Sequence, residues 1–304
     1  MQEKTVLIVG AGPAGCAAAV QCARLGLKPE LVDSTGQAGG LLANAWRIEN
    51  YPGLEEPVDG LTFVQRLKRQ LDSFSIAIRK GRCIQLQQEG TLWATRLHDG
   101  TTLTARALLI ATGTKPVPAG LPNEGELTGR FLYYEVAPLL ASPPQKAVVI
   151  GGGEAAFDYA LSLASRGCQT TICVRSQRHK AGLRLETLVA TNPNITVALQ
   201  TSVTAATSDS DGLEIEVQRH DNSGVLPCDV VVVACGRATQ LPDFLPDARG
   251  LSPTACNPGP GLTISPGLYI AGDARLGALG QAGIAVGDGL HAATLAHRHL
   301  RGQV

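Results

Sequence analysis

The chain has 304 residues, and its 26 lysines and arginines are balanced by 26 aspartates and glutamates. That length accommodates two domains of ordinary size, and a net charge of zero leaves no global field to attract nucleic acid or a membrane surface. Aromatic residues make up only 4%, too few for base-stacking or carbohydrate platforms, whereas 35 glycines suit a backbone that approaches ligands closely. No apolar run approaches the ~18 residues of a membrane span, and the first strand starts so near Met1 that no signal peptide is expected. A cytoplasmic location follows as the expectation. The eight cysteines (Cys16, Cys22, Cys83, Cys168, Cys173, Cys228, Cys235 and Cys256) include no C-x-x-C pair. Neither a thioredoxin-like redox pair nor a zinc knuckle is therefore expected, and no metal site. Most cysteines lie in apolar stretches and read as small core residues; Cys256, in a proline-flanked loop, reads as the most exposed.

In chain order, residues 6–9 are four aliphatic residues that predict a strand buried on both faces. Gly10, Gly12 and Gly15 follow with G-x-G-x-x-G spacing around Pro13 and Ala14, and an alanine-rich helix comes next. The first glycine allows the tight turn, the second lets the backbone reach a pyrophosphate, and the third lets helix pack on strand. The helix start supplies N–H groups and a positive dipole end for the phosphates. A second apolar run ends at Asp33, placed to accept hydrogen bonds from a ribose. Residues 34–75 read as a glycine-rich loop and an amphipathic helix with Phe63, Val64, Leu67, Leu71 and Phe74 on its apolar face. Alternating strands at 83–88 and 92–97, a turn at Asp99-Gly100, and a buried strand over 107–113 complete the first copy.

A second copy then begins. Residues 145–156 restate the opening strand and glycine turn, with Gly151, Gly153 and Ala156 in the three key positions. The register continues without a gap, so that Val174 stands where Asp33 stood. As in the first copy, a stretch of short alternating strands with hairpin signals is expected, here 195–199 and 213–219 with a turn at 221–224, and a buried strand runs over 230–236 to Gly236. The expected fold is α/β, two tandem Rossmann-like domains of three-layer ββα type. Residues 1–114 with 239–304 form one, and 115–238 form a second inserted within it.

Several further segments carry a family resemblance. Gly39-Gly40-Leu41-Leu42 resembles a G-G-Q-L loop, and 48–53 resembles I-E-N-Y-P-G, containing Asn50. Ala111-Thr112-Gly113 matches A-T-G, residues 269–273 resemble Y-x-A-G-D with Gly272 and Asp273, and 281–289 resemble a Q-x-x-x-A-x-G-x-G helix start beginning Gln281-Ala282. With the two glycine turns, these resemble the pyridine nucleotide–disulfide oxidoreductase superfamily and, in size, its thioredoxin reductase branch. The resemblance implies FAD in the first domain, held by Gly10, Gly12, Pro13, Ala14, Gly15, Asp33, Gly40, Leu41, Asn50, Thr112, Gly113, Gly272, Asp273, Gln281 and Ala282. It implies NAD(P)H in the second, at Gly151, Gly153, Glu154, Ala155, Arg175, Lys180 and Gly236. Val174 in place of the ribose acid, followed by Arg175, Arg178, His179, Lys180 and Arg184, favours NADPH over NADH; a solvated basic loop is the alternative.

The branch carries C-A-T-C-D shortly before the second glycine turn. Here the matching stretch is Tyr134-Glu135-Val136-Ala137-Pro138, so both redox cysteines and the acid are replaced. No catalytic side chain is expected beyond the flavin itself. Tyr134 reads either as a residue shaping an acceptor site or as a packed hinge aromatic. The ferredoxin–NADP reductases of thioredoxin reductase type also lack the dithiol, but no counterpart of their C-terminal extension is expected here; the arginine usual in the wider family before Gln281 is replaced by Gly280. The expected function is transfer of electrons from NAD(P)H through flavin to an external acceptor, either an iron–sulfur (ferredoxin-like) protein or a small redox molecule. Reduction of an external disulfide such as a lipoyl group, and a non-catalytic flavin-binding regulatory protein, are the alternatives. The resemblance implies a homodimer.

Overall fold

A computed structural model describes residues 5–208, 213–219, 222–239, 262–277 and 280–303. The chain divides into two compact units. Met1–Ala43, Ile48–Lys115 and Ala238–Val304 form the first, while Asn44–Arg47 and Pro116–Arg237 form the second. The four residues Asn44–Arg47 thus group with the second unit, although the sequence expectation placed them in the first.

The first unit begins with β1 (Thr5–Val9), α1 (Pro13–Arg24) and β2 (Lys28–Asp33). β1 pairs in parallel with β2 on one side and with a later strand on the other, so its residues 6–9 are buried, as a continuous aliphatic run requires. α2 (Gly60–Ser73) is capped by Asp59, whose carboxylate accepts from Thr62 N at 2.8 Å, and it buries Phe63, Leu67 and Leu71. Phe74 lies just past the helix end and is 39% exposed, so it does not join the apolar face that its spacing predicted. After β3 (Ile78–Lys80) comes an antiparallel meander of β4 (Cys83–Glu89), β5 (Leu92–Leu97) and β6 (Thr102–Ala105). β7 (Ala107–Ile110) returns to the parallel sheet, and Leu86, Trp93 and Leu97 of the meander pack on Leu7, Val9, Val32 and Leu108 of that sheet.

β8 (Thr114–Pro116) leads into the second unit, where α3 (Glu124–Leu127), β9 (Leu132–Tyr133), β10 (Lys146–Ile150), α4 (Glu154–Ala164), β11 (Gln169–Val174), α5 (Leu183–Ala190) and β12 (Ile195–Leu199) follow. A second meander comprises β13 (Ser202–Ser208), β14 (Leu213–Arg219) and β15 (Asn222–Cys228), and the chain then enters β16 (Val230–Val233) and β17 (Arg237–Thr239). The parallel sheet has the order β12-β11-β10-β16-β9. Alternate residues face opposite layers. Val149, Ile172 and Val232 pack towards α4, and Val148, Cys173 and Val231 towards the meander.

Two expectations are corrected here. Residues 195–199 pair in parallel with β11 as part of the central sheet and not with the meander. Asn222, Ser223 and Gly224, expected in a turn, are ladder residues of β15 opposite Arg219, Gln218 and Val217. The polar turn-like composition of that segment is tolerated because β15 is an edge strand, open to water on one side.

The chain returns to the first unit through β18 (Thr263–Ser265), β19 (Leu268–Ile270), α6 (Asp273–Leu276) and α7 (Ala282–Leu300). The first sheet reads β18-β19-β7-β1-β2-β3. α7 lies against α1 so closely that a Cβ on Gly289 would sit 2.1 Å from the Ala14 carbonyl oxygen. Among the described residues no helix is long and apolar enough to cross a membrane.

Candidate functional site: two glycine turns

In the first unit the chain turns after β1 with Gly10 at φ +106°, and a Cβ there would lie 2.2 Å from the Ala111 carbonyl oxygen. A Cβ on Gly15 would lie 1.8 Å from the Gly10 carbonyl oxygen, so strand, turn and helix meet only with hydrogen at both places. Gly12 differs. Its backbone is extended (φ −68°, ψ −176°), nothing lies within 4 Å of a Cβ built on it, and no side chain caps α1. Space without a neighbour at an uncapped helix start is what a pyrophosphate requires.

The other predicted residues of this unit gather around that turn. Gly39 N donates to the Ala11 carbonyl oxygen at 2.7 Å, and a Cβ on Gly40 would lie 3.3 Å from Gly12 Cα, so the Gly39-Gly40-Leu41 loop borders the turn. Thr112 and Gly113 continue from β7 beside Gly10. A Cβ on Gly272 would meet the Ala14 side chain at 2.9 Å, which places Gly272 and Asp273 at the α1 start as well. Asn50 Nδ2 donates to Gln281 Oε1 at 3.3 Å, joining two predicted residues that are distant in sequence at the uncapped start of α7, next to Ala282. Asp33 Oδ2 accepts from Ala11 N at 2.9 Å, while Oδ1 accepts from Thr35 N and Oγ1 at 2.8 and 2.6 Å. The carboxylate is thereby fixed at the end of β2, where a ribose acceptor belongs. Gly280, where the resemblance has an arginine, lies beside the Asp273 carboxylate, 2.0 Å from Oδ1 for a Cβ built on it.

The second unit repeats this geometry. Gly151 has φ +155°, and a Cβ there would lie 2.4 Å from the Ala234 carbonyl oxygen; Gly153, like Gly12, has nothing within 4 Å, and no side chain caps α4. Lys180 N donates to the Gly152 carbonyl oxygen at 2.6 Å, the counterpart of Gly39 N on Ala11, so the repeat extends into the loop. The two units diverge at the third position, where Ala156 stands in place of Gly15, and again at the strand end. Ala11 N is bound by Asp33, whereas a Cβ on Gly152 would lie 2.8 Å from Val174 Cγ1, an apolar contact with no acceptor. Arg175 follows Val174, exposed, and Lys180 is brought back beside the turn. Glu154 and Ala155 are exposed in the first turn of α4, and Gly236 is exposed beyond the end of β16.

The stretch in place of a redox motif is fully engaged within this unit. Tyr134 Oη donates to Glu124 Oε1 at 2.7 Å. Glu135 Oε1 accepts from Arg237 Nη1 at 2.7 Å, and its Oε2 accepts from Asn44 Nδ2 at 2.6 Å and Tyr159 Oη at 3.1 Å. Ala137 N donates to Asn44 Oδ1 at 2.8 Å, and Trp46 N donates to Asp158 Oδ2 at 2.9 Å. Sequence reasoning missed Asn44 and Asp158, whose partners are remote in sequence, and Glu124, whose nearby partners in an irregular loop leave no periodic pattern. Of the cysteines described, Cys16, Cys22, Cys168, Cys173 and Cys228 are buried and Cys83 half-buried, and burial raises the pKa of each thiol. Cys235 is exposed, yet partial burial and the Glu124 charge also raise its pKa, against a lowering from Arg175. Cys256 lies outside the described residues. No metal-binding group of His, Cys, Asp or Glu occurs among the described residues.

Two Rossmann-like units, each with a glycine turn open at an uncapped helix start, are the architecture of a protein that binds two dinucleotides. Residues 4–289 match the pyridine nucleotide-disulphide oxidoreductase family, and the chain belongs to it. It is a flavoprotein of thioredoxin reductase type whose cofactors are FAD and NAD(P)H. It is 29% identical over 317 residues to the thioredoxin reductase of Eremothecium gossypii, covering 99% of both chains. It is also 29% identical over 306 residues to a component of the alkyl hydroperoxide reductase of Pseudomonas putida, but spans only 58% of that protein's length. The crystal structure of T. acidophilum thioredoxin reductase superposes with a TM-score of 0.82 at 26% identity, covering 97% of this chain and 98% of that one.

Proposed function

We propose that this chain passes electrons from a nicotinamide nucleotide in the second unit, through FAD in the first, to an acceptor outside the chain, with no internal dithiol. One observation carries the reading: Tyr134 and Ala137, neither of which has a sulfur, stand where the resemblance places the branch's redox cysteines, with the Tyr134 hydroxyl on Glu124 and the Ala137 N–H on Asn44. FAD, when bound, supplies hydride acceptance from the nicotinamide and release of the two electrons onward. The chain's own residues bind and orient. The turns at Gly12 and Gly153 take the pyrophosphates, and the α7 start with Asn50 and Gln281 borders the ring. Asp33 and Asp273 accept hydroxyl hydrogen bonds, and Thr112, Gly113 and Gly272 keep the backbone close. In the second unit Arg175 and Lys180, beside an acid-free Val174, favour the 2′-phosphate of NADPH. The acceptor is an iron–sulfur protein or a small redox molecule, and the working form is a cytoplasmic homodimer.

Direct reduction of an external disulfide is the second reading, favoured by the family itself. It relies on the flavin, since no described cysteine combines exposure with a lowered pKa. Anaerobic reduction by NADPH and by NADH, followed by re-oxidation with ferredoxin-like proteins, quinones and lipoyl disulfides, tests both. Faster and tighter reduction by NADH would remove the NADPH assignment. Re-oxidation by lipoyl disulfide alone would replace the first reading with the second.

A further inference from the structure

In the second sheet β10 lies between β11 and β16, with β9 beyond β16, and all of these strands run parallel. Their carboxyl ends therefore open on one edge, where ligands of such sheets bind. The residue that reads the adenosine ribose stands at the end of the second strand of the unit, which is the place of Val174 and Arg175. A dinucleotide with its pyrophosphate at the α4 start thus directs its adenosine half over β11. Its other half must run the opposite way, over the ends of β16 and β9. Those ends carry Cys235 with Gly236, and Tyr134.

Tyr134 is held there from behind. Besides the Tyr134 hydroxyl, the Glu124 carboxylate accepts from the backbone N–H groups of Ala119, Gly120 and Leu121 at 2.9, 2.7 and 3.1 Å. Burial works to raise the Glu124 pKa, but the Tyr134 hydroxyl and the three N–H groups outweigh it and hold the carboxyl below its ordinary value. Burial and the same carboxylate push the Tyr134 phenol up to about 12, so the hydroxyl remains a donor. The ring is half-buried on the meander-side core, and Tyr134 immediately follows β9, which puts it at the carboxyl edge that the nucleotide would follow.

We infer that Tyr134, anchored on Glu124, is a positioning residue whose ring forms the wall for the nicotinamide of the nucleotide bound by the second unit. The inference rests on the reading that this unit takes NAD(P)H. An aromatic face is suited to the task, because it stacks on a flat heteroaromatic ring and favours the positive charge of the oxidised form.

Calorimetric titration of the holoenzyme separates this role from a structural one. The ligands are the preferred oxidised nucleotide, NADP+ or NAD+, and its counterpart lacking only the nicotinamide, 2′-phospho-ADP-ribose or ADP-ribose. Tyr134→Ala is expected to weaken the dinucleotide about fivefold to tenfold while leaving the truncated ligand unchanged. Tyr134→Phe, which preserves packing but releases the ring from Glu124, is expected to weaken the dinucleotide about twofold to threefold, again selectively. Unchanged affinity for both ligands, or equal weakening of both, would overturn the inference while leaving the nucleotide assignment standing. A wild-type holoenzyme that binds neither ligand would overturn that assignment, and this inference with it.

Discussion

At the scale of residues, the two glycines nearest the first phosphate position do opposite jobs. Gly15 is required by the protein, since its missing side chain makes room for the Gly10 carbonyl at 1.8 Å. Gly12 is not, because the space before it is open and its φ is ordinary. Gly12→Ala is therefore expected to leave the melting temperature of the FAD-free protein nearly unchanged while lowering FAD affinity at least tenfold. Gly15→Ala is expected to lower stability itself by several kcal/mol, about 3 or more. Thermal melts with and without added FAD distinguish the two. A second residue-scale prediction concerns Asp158, whose pKa burial raises to about 6 from 3.8, helped by Glu154 and opposed by the Trp46 N–H. Because the folded group holds its proton more tightly than the unfolded one, its contribution is fully present below about pH 4 and is lost as pH rises through about 6. Asp158→Asn, which retains an acceptor for Trp46 N, should remove that slope and stabilise the second unit by ~3 kcal/mol at alkaline pH. A variant whose melting temperature follows the wild-type pH curve would contradict this. The Asp33–Val174 difference was legible in the sequence because the repeat aligns without a gap. The partners of Tyr134 and Glu135 were not, since a hydrogen bond between Glu135 and Asn44 or Arg237 leaves no periodic trace.

At the scale of elements, the legible features were those with strong local signals. The aliphatic runs of β1, β10 and β16 form buried parallel strands, and α2 follows its apolar spacing up to Phe74, where the helix ends. Its start depends on Asp59, and Asp59→Ala should cost about 1 kcal/mol in a urea melt; no change would mean that packing of Phe63, Leu67 and Leu71 alone holds the helix. The misread elements share one physical cause. Whether a short strand joins a parallel sheet, as β12 does, or a meander is decided by its neighbours and not by its own residues. Likewise Asn222-Ser223-Gly224 has turn composition, yet pairing with β14 overrides it.

At the scale of the whole molecule, duplication supplies two dinucleotide sites built on one geometric plan, Gly10 against Ala111 and Gly151 against Ala234. The plan diverges at the strand end, where the Asp33 carboxylate accepts from Ala11 N and Val174 makes only an apolar approach to Gly152; the proposed preference for different riboses rests on this difference. The family relationship brings the flavin and the nicotinamide. In the proposed reading the replaced motif, with the Tyr134 hydroxyl on Glu124 and the Ala137 N–H on Asn44, leaves no internal store for a second electron pair. Anaerobic reductive titration of the holoenzyme counts that store directly. Complete bleaching of the flavin by a single two-electron equivalent per FAD is the expected result. A requirement for two equivalents, the first consumed without full bleaching, would reveal a dithiol in communication with the flavin and contradict it.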